Sequence, residues 1–147
     1  MANKYVSNKV LELVDHKWVE LPETMKTGRF RHSCAVWNNK VWLLGGKNDT
    51  QNVKEVEVFN PADNSWEEGP ELPRGLINTQ TFIQENHLYL LGGKEDSDPN
   101  KEVFKLEDSN GKWETVPDAN VDQEERQIFP ALIVNHLNAF CVSNDKD

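Results

Sequence analysis

The chain has 147 residues, with 37% hydrophobic and 28% charged, which suits one folded domain rather than a disordered chain. A net charge of -9 and a pI near 4.9 repel a phosphate backbone and set nucleic acid aside as a partner. No run approaches the roughly 18 apolar residues of a membrane span, and the first residues lack the apolar core of a secretory leader. A cytoplasmic protein without a membrane partner is therefore expected.

In chain order, residues 9–15 read as a short strand and Trp18 sits on the next one, so 1–18 forms half of a larger unit. Residues 33–37 are an apolar strand, and Asn38-Asn39 make the tight turn after it, since Asn tolerates a left-handed backbone. Residues 41–44 are an unbroken apolar run, which predicts burial on both faces, and Gly45-Gly46 end it. A polar loop at 47–52, a third strand at 53–59, a turn at 60–65 and Trp66 complete the set.

The same succession follows: a strand at 79–84, a turn at 85–86, an apolar run at 88–91, Gly92-Gly93, a polar loop at 94–100, a strand at 101–106 and Trp113. Residues 122–126 have room for one helical turn. A third, weaker copy has strands at 130–134 and 135–142, with Asn138 at the aromatic position and Cys141-Val142 at the double-glycine position.

The period is regular. Trp18, Trp66 and Trp113 are 48 and 47 residues apart, the two Gly-Gly pairs are 47 apart, and each pair precedes its Trp by 20 residues. Four short strands per period of this length define a propeller blade. The expected division is a half blade at 1–18, repeats at 19–66 and 67–113, and a degenerate half blade at 114–147.

Arg29 ahead of His32-Ser33, then Gly45-Gly46, Phe59 and Trp66, resemble the kelch repeat, with Phe59 where that family has Tyr. The second copy keeps Gly92-Gly93 and Trp113 but has Leu106 in place of the aromatic. The resemblance covers nearly the whole chain. It implies an all-β fold of kelch-type β-propeller blades, four antiparallel strands each, as a partial propeller or half of a six-bladed assembly. It assigns structural work to the glycines, which permit positive φ or close packing, and to Trp18, Trp66 and Trp113, which cover the neighbouring blade.

The resemblance further implies a protein-protein interaction module, for ubiquitin-ligase substrates or for actin. The ligase role needs BTB and BACK domains, which the sequence does not contain. Distant kelch propellers are enzymes of oxidase or isomerase type, but their copper ligands are not recognisable here. No enzymatic activity, cofactor or metal is expected, because His16, His32, His87 and His136 are scattered. His32 and Cys34 are read as packed strand residues, and Cys34 and Cys141 as buried free thiols.

The loops after each second strand and those between blades gather on one face in such propellers, and loops on a rigid scaffold carry recognition. The candidate partner-binding residues are Arg29, Arg31, Arg74, Asn48, Asn78 and Arg126, with Arg suited to bidentate carboxylate pairing. The partner is a protein or peptide. A homodimer completing six blades is one reading of the complementary half blades, and a vestigial fragment of a longer BTB-kelch protein is another.

Overall fold

The computed structural model describes residues 6–117, residue 119 and the backbone of strands at 131–134 and 139–142. The expected helical turn at 122–126 lies outside the described residues. Among the described residues every regular element is a strand.

Two four-stranded antiparallel sheets form the body. The first, blade A, runs β3 (Ser33–Trp37), β4 (Lys40–Leu44), β5 (Val56–Asn60) and β6 (Ser65–Gly69) in sequence order. The second, blade B, joins β7 (Gln80–Gln84), β8 (His87–Leu91), β11 (Val103–Leu106) and β12 (Glu114–Thr115). A small ribbon, β9 (Lys94–Glu95) with β10 (Asp98–Pro99), fills the loop between β8 and β11. The hairpins β1 (Leu11–Val14) with β2 (Lys17–Glu20) and β13 (Ala131–Val134) with β14 (Ala139–Val142) stand at the two ends.

The tight turns use the residues their backbone demands. Asn38 and Asn39 have φ of 51° and 59°, and Glu85 and Asn86 have 50° and 60°, the left-handed pair of a two-residue hairpin. Gly46 and Gly93 have φ of 96° and 74°. A Cβ there would stand 2.8 Å from the Phe30 carbonyl oxygen and 2.5 Å from that of Ile77. These glycines let each loop after a second strand lie against a between-blade loop.

The core lies between the blades. Trp42, Leu44, Val56 and Val58 of blade A meet Leu88, Leu90, Phe104 and Leu106 of blade B, all at 2% exposure or less. Burying each such side chain contributes about 1.5–3 kcal/mol. The expected two-sided burial of the apolar run at 41–44 does not hold: Trp42 and Leu44 are buried, while Val41 and Leu43 on the opposite face are half-exposed. Strand alternation sends neighbours to opposite faces, and only one face of blade A meets a whole blade.

The third strands begin later than expected, at Val56 and Val103. Val53 and Asn100 instead direct their amides across the loop, to Gly46 O at 2.8 Å and Gly93 O at 2.9 Å. Trp113 falls just before β12 rather than within it.

Candidate functional site

The loops after the second strands and the loops between blades form one rim. Phe30 and Lys47 exchange backbone hydrogen bonds, as do Ile77 and Lys94. Gly46 N donates to Leu76 O at 2.9 Å, and Asn78 N donates to Arg31 O at 3.0 Å. The second of these bonds ties one between-blade loop to the next. Asn52 adds a side-chain bond from Nδ2 to Gly75 O at 3.1 Å.

The structure separates the candidate residues by what already occupies them. Arg29 is not a surface cation: it is 2% exposed. Its Nη2 donates to Glu57 Oε2 at 2.9 Å, Nη1 to Gly45 O and Glu55 O, and Nε to Thr27 O. Glu57 Oε1 in turn accepts from the amides of Lys26 and Thr27. Desolvation pushes the guanidinium below its ordinary pKa, opposed by the charges of Glu57 and Glu55. Such a buried ion needs its full set of partners, so Arg29 is a clamp on the between-blade loop. Sequence alone did not reveal this, because Glu57 is 28 residues away.

Asn48 Oδ1 accepts from Thr50 N, Thr50 Oγ1 and Gln51 N, which closes its own loop. Arg74 is half-buried and pairs with Glu95 at 2.9 Å and Glu102 at 3.7 Å. Asn78 has φ of 55° and contributes its backbone to the rim. Arg31 is exposed, holds φ of 56°, and sets its guanidinium carbon 5.6 Å from the Phe30 ring centroid. Among the described residues its guanidinium meets no carboxylate. Arg126 lies outside the described residues.

His32 and Cys34 are exposed, contrary to the packed environment expected of them. β3 has β7 beside it, joined through Ser33 Oγ to Thr79 Oγ1 at 2.7 Å and Thr81 Oγ1 to Cys34 O at 2.7 Å. The opposite side of β3 has no blade among the described residues. Partial desolvation of its ring, then the Arg29 charge, hold the His32 pKa below its ordinary value. Among the described residues no three His, Cys, Asp or Glu side chains gather as a metal site, and no helix is long and apolar enough to cross a membrane.

The three tryptophans differ in setting. Trp113 is buried between the blades and donates from Nε1 to Pro70 O at 2.9 Å. Trp66 stacks obliquely on Phe59, with centroids 5.0 Å apart, and its buried Nε1 has no acceptor. Trp18 was expected to cover a neighbouring blade, but it is 68% exposed.

A beaded row of four-stranded antiparallel sheets, with double glycines at the loop crossings and an interleaved tryptophan, defines a partial β-propeller of kelch type. The Kelch motif model matches residues 28–73. Human Kelch-like protein 6 is 33% identical over 46% of this chain and 10% of its own length. Human Kelch repeat and BTB domain-containing protein 12 is 34% identical over 52% of this chain and 14% of its own. An F-box/kelch-repeat protein of Arabidopsis thaliana is 36% identical over 35% of this chain and 14% of its own. The solved structure of YjhT superposes with a TM-score of 0.72 at 18% identity, covering 87% of this chain and 47% of that one. Residues 28–73 thus carry a Kelch motif, the chain is similar to kelch-repeat proteins, and it spans a small part of the length of these curated relatives.

Proposed function

We propose that this chain is a protein-recognition module that binds through its loop rim, with Arg31 as the anchoring cation. The observation that carries the reading is the contrast among the rim cations: Arg29 and Arg74 are held by carboxylates, while Arg31 is exposed on a rigid crossing of loops. A guanidinium held in place loses little freedom when it forks onto a carboxylate. The ligand chemistry is therefore an acidic side chain on a protein or peptide.

The relatives' names place kelch repeats beside a BTB or an F-box domain, which favours recognition of a protein substrate over actin. The proposal assigns the chain no catalytic step and places its work in the cytoplasm.

The test is binding of the full chain to an array of peptides with and without a central Glu-Glu pair, with filamentous-actin co-sedimentation alongside. Glu-Glu peptides are expected to bind, and Arg31→Ala to weaken them about tenfold or more, the loss typical of an interface anchor. Equal binding by Arg31→Ala removes Arg31 from the site. Co-sedimentation with actin and no peptide binding replaces the substrate reading with the actin one.

A further inference from the structure

We infer that the partner held by Arg31 is an amphoteric segment, with a basic residue set some way along it from the acidic one. Arg31 takes the carboxylate, and the tip of the β9–β10 ribbon, at Asp96 and Asp98, takes the cation. This inference rests on the rim reading above and names the charge pattern of that ligand.

The first observation is a difference between two equivalent loops. Lys47 bridges to Phe30 and Asn52, while Lys94 bridges to Ile77 and pairs with Pro99. Residues 47–52 of blade A therefore correspond to 94–99 of blade B, and Asn48 to Glu95. Asn48 turns its Oδ1 inward, onto Thr50 and Gln51. Glu95 turns instead to Arg74, at 2.9 Å. The tip of the ribbon beyond Glu95 is left without that closure. Asp96 and Asp98 are exposed there. Among the described residues neither carboxylate meets a cation, the neighbouring Lys94 included.

The second observation is that one backbone network fixes both charges. Glu95 pairs with Asp98 across the ribbon, and Asp96 has φ of 51°, a left-handed position that Asp tolerates. Ile77 and Lys94 exchange hydrogen bonds of 3.0 and 3.1 Å, which ties the ribbon to the between-blade loop. The next residue, Asn78, donates to Arg31 O at 3.0 Å. From Arg31 to Asp96 the route thus crosses two hydrogen-bonded contacts and a few residues, no more than about 20 Å along the backbone. An extended segment of about four to six residues bridges the two charges.

The third observation is that the two charges do not neutralise each other. Arg31 rests near the Phe30 ring and forms no ion pair with Asp96 or Asp98. Opposite charges held apart on a rigid backbone are complementary to a ligand with the reverse order of charges. A ligand that carries only carboxylates satisfies Arg31 but is repelled by the ribbon tip, and the net charge of -9 adds to that repulsion. A cation at the far end of the same segment turns the repulsion into an attraction. The tip is therefore the element that separates one acidic ligand from another, since a repulsive contact discriminates as well as an attractive one.

The test titrates two kinds of peptide of equal length against the full chain. One carries a Glu-Glu pair alone. The other adds a Lys-Lys pair about five residues away, and is made in both chain directions. The proteins are wild type, Arg31→Ala, and the double variant Asp96→Asn with Asp98→Asn, which removes both charges at constant size. Asn accepts a left-handed backbone as Asp does, so the ribbon is kept. Wild type is expected to bind the Glu-Lys peptide, in one direction, about threefold tighter than the Glu-only peptide, the scale of exposed ion pairs. The double variant is expected to reverse this order: about twofold tighter than wild type on the Glu-only peptide, and weaker than wild type on the Glu-Lys peptide. Arg31→Ala is expected to weaken both. If Arg31→Ala weakens both but wild type binds the two peptides equally, this inference falls and the rim reading stands. A Lys-Lys gain that persists in the double variant also overturns it. Arg31→Ala binding as wild type does removes the rim reading, and this inference with it.

Discussion

Blades A and B follow the same strand order, yet they seat different chemistry at the same place. Phe30 and Ile77 make equivalent bridges to Lys47 and Lys94, which puts Arg29 opposite Leu76 in the repeat. Leu43 pairs with Glu57 and Leu90 with Phe104, which puts Glu57 opposite Phe104. A buried ion pair in blade A thus stands where blade B has two core side chains. Val53 and Asn100 reverse the pattern: the apolar residue is in blade A and the polar one in blade B, with Asn100 Nδ2 bonded to Gly92 O and Glu102 O. The blade backbone therefore accepts either solution, provided that each buried polar group is satisfied. The difference lies in what the polar solution costs to break.

Glu57→Ala is expected to have the largest effect. It strands the Arg29 guanidinium and two loop amides, and breaking a buried pair costs about 3–5 kcal/mol. Arg29→Leu alone strands Glu57 by the same logic. The triple substitution Arg29→Leu, Val53→Asn and Glu57→Phe copies blade B, where Asn100 holds Gly92 O and Glu102 O as Arg29 holds Gly45 O and Glu55 O, and it should recover most of the loss, since apolar replacement of buried pairs is often neutral or better. Urea unfolding of the three variants checks this. A triple variant no more stable than the worse single one would show that the two blades are not interchangeable there.

The parts of the fold that sequence revealed are those with a local cause. Gly46 and Gly93 need a backbone that L side chains rarely adopt, and Asn39 and Asn86 sit in turns that favour them. Those constraints act on single residues, so they leave a mark at a fixed spacing. Burial of Arg29 depends on Glu57, and exposure of Trp18, Cys34 and Val36 depends on whether a blade stands opposite. Nothing within a few residues of these positions encodes that. The rim followed from the resemblance, but which cation on it stays unpaired required the carboxylates of other strands.

The two inner tryptophans sharpen the comparison at lower energy. Trp113→Phe loses the bond to Pro70 O and should cost about 1 kcal/mol, the net worth of an ordinary hydrogen bond. Trp66→Phe loses no bond, because the indole N–H is buried without an acceptor, and should be neutral or slightly stabilising. Thermal or urea midpoints of the pair decide it. Equal losses would mean that ring area rather than the N–H separates the blades.

The smallest expected effect is a pH dependence confined to blade A. Gly46 packs against His32 as Gly93 packs against Thr79, so His32 stands where blade B has a threonine. Desolvation and the Arg29 charge hold the folded-state pKa of His32 below the ordinary 6.5. As pH falls below about 6.5, the unfolded chain takes up that proton first. The stability that the neutral ring contributes is thus present above this value and is lost as pH falls through the folded pKa. Protonation there also sets a second cation beside Arg29. His32→Thr, which copies blade B, should flatten the difference in urea midpoint between pH 7 and pH 5. An unchanged slope in His32→Thr would move the pH dependence away from this residue.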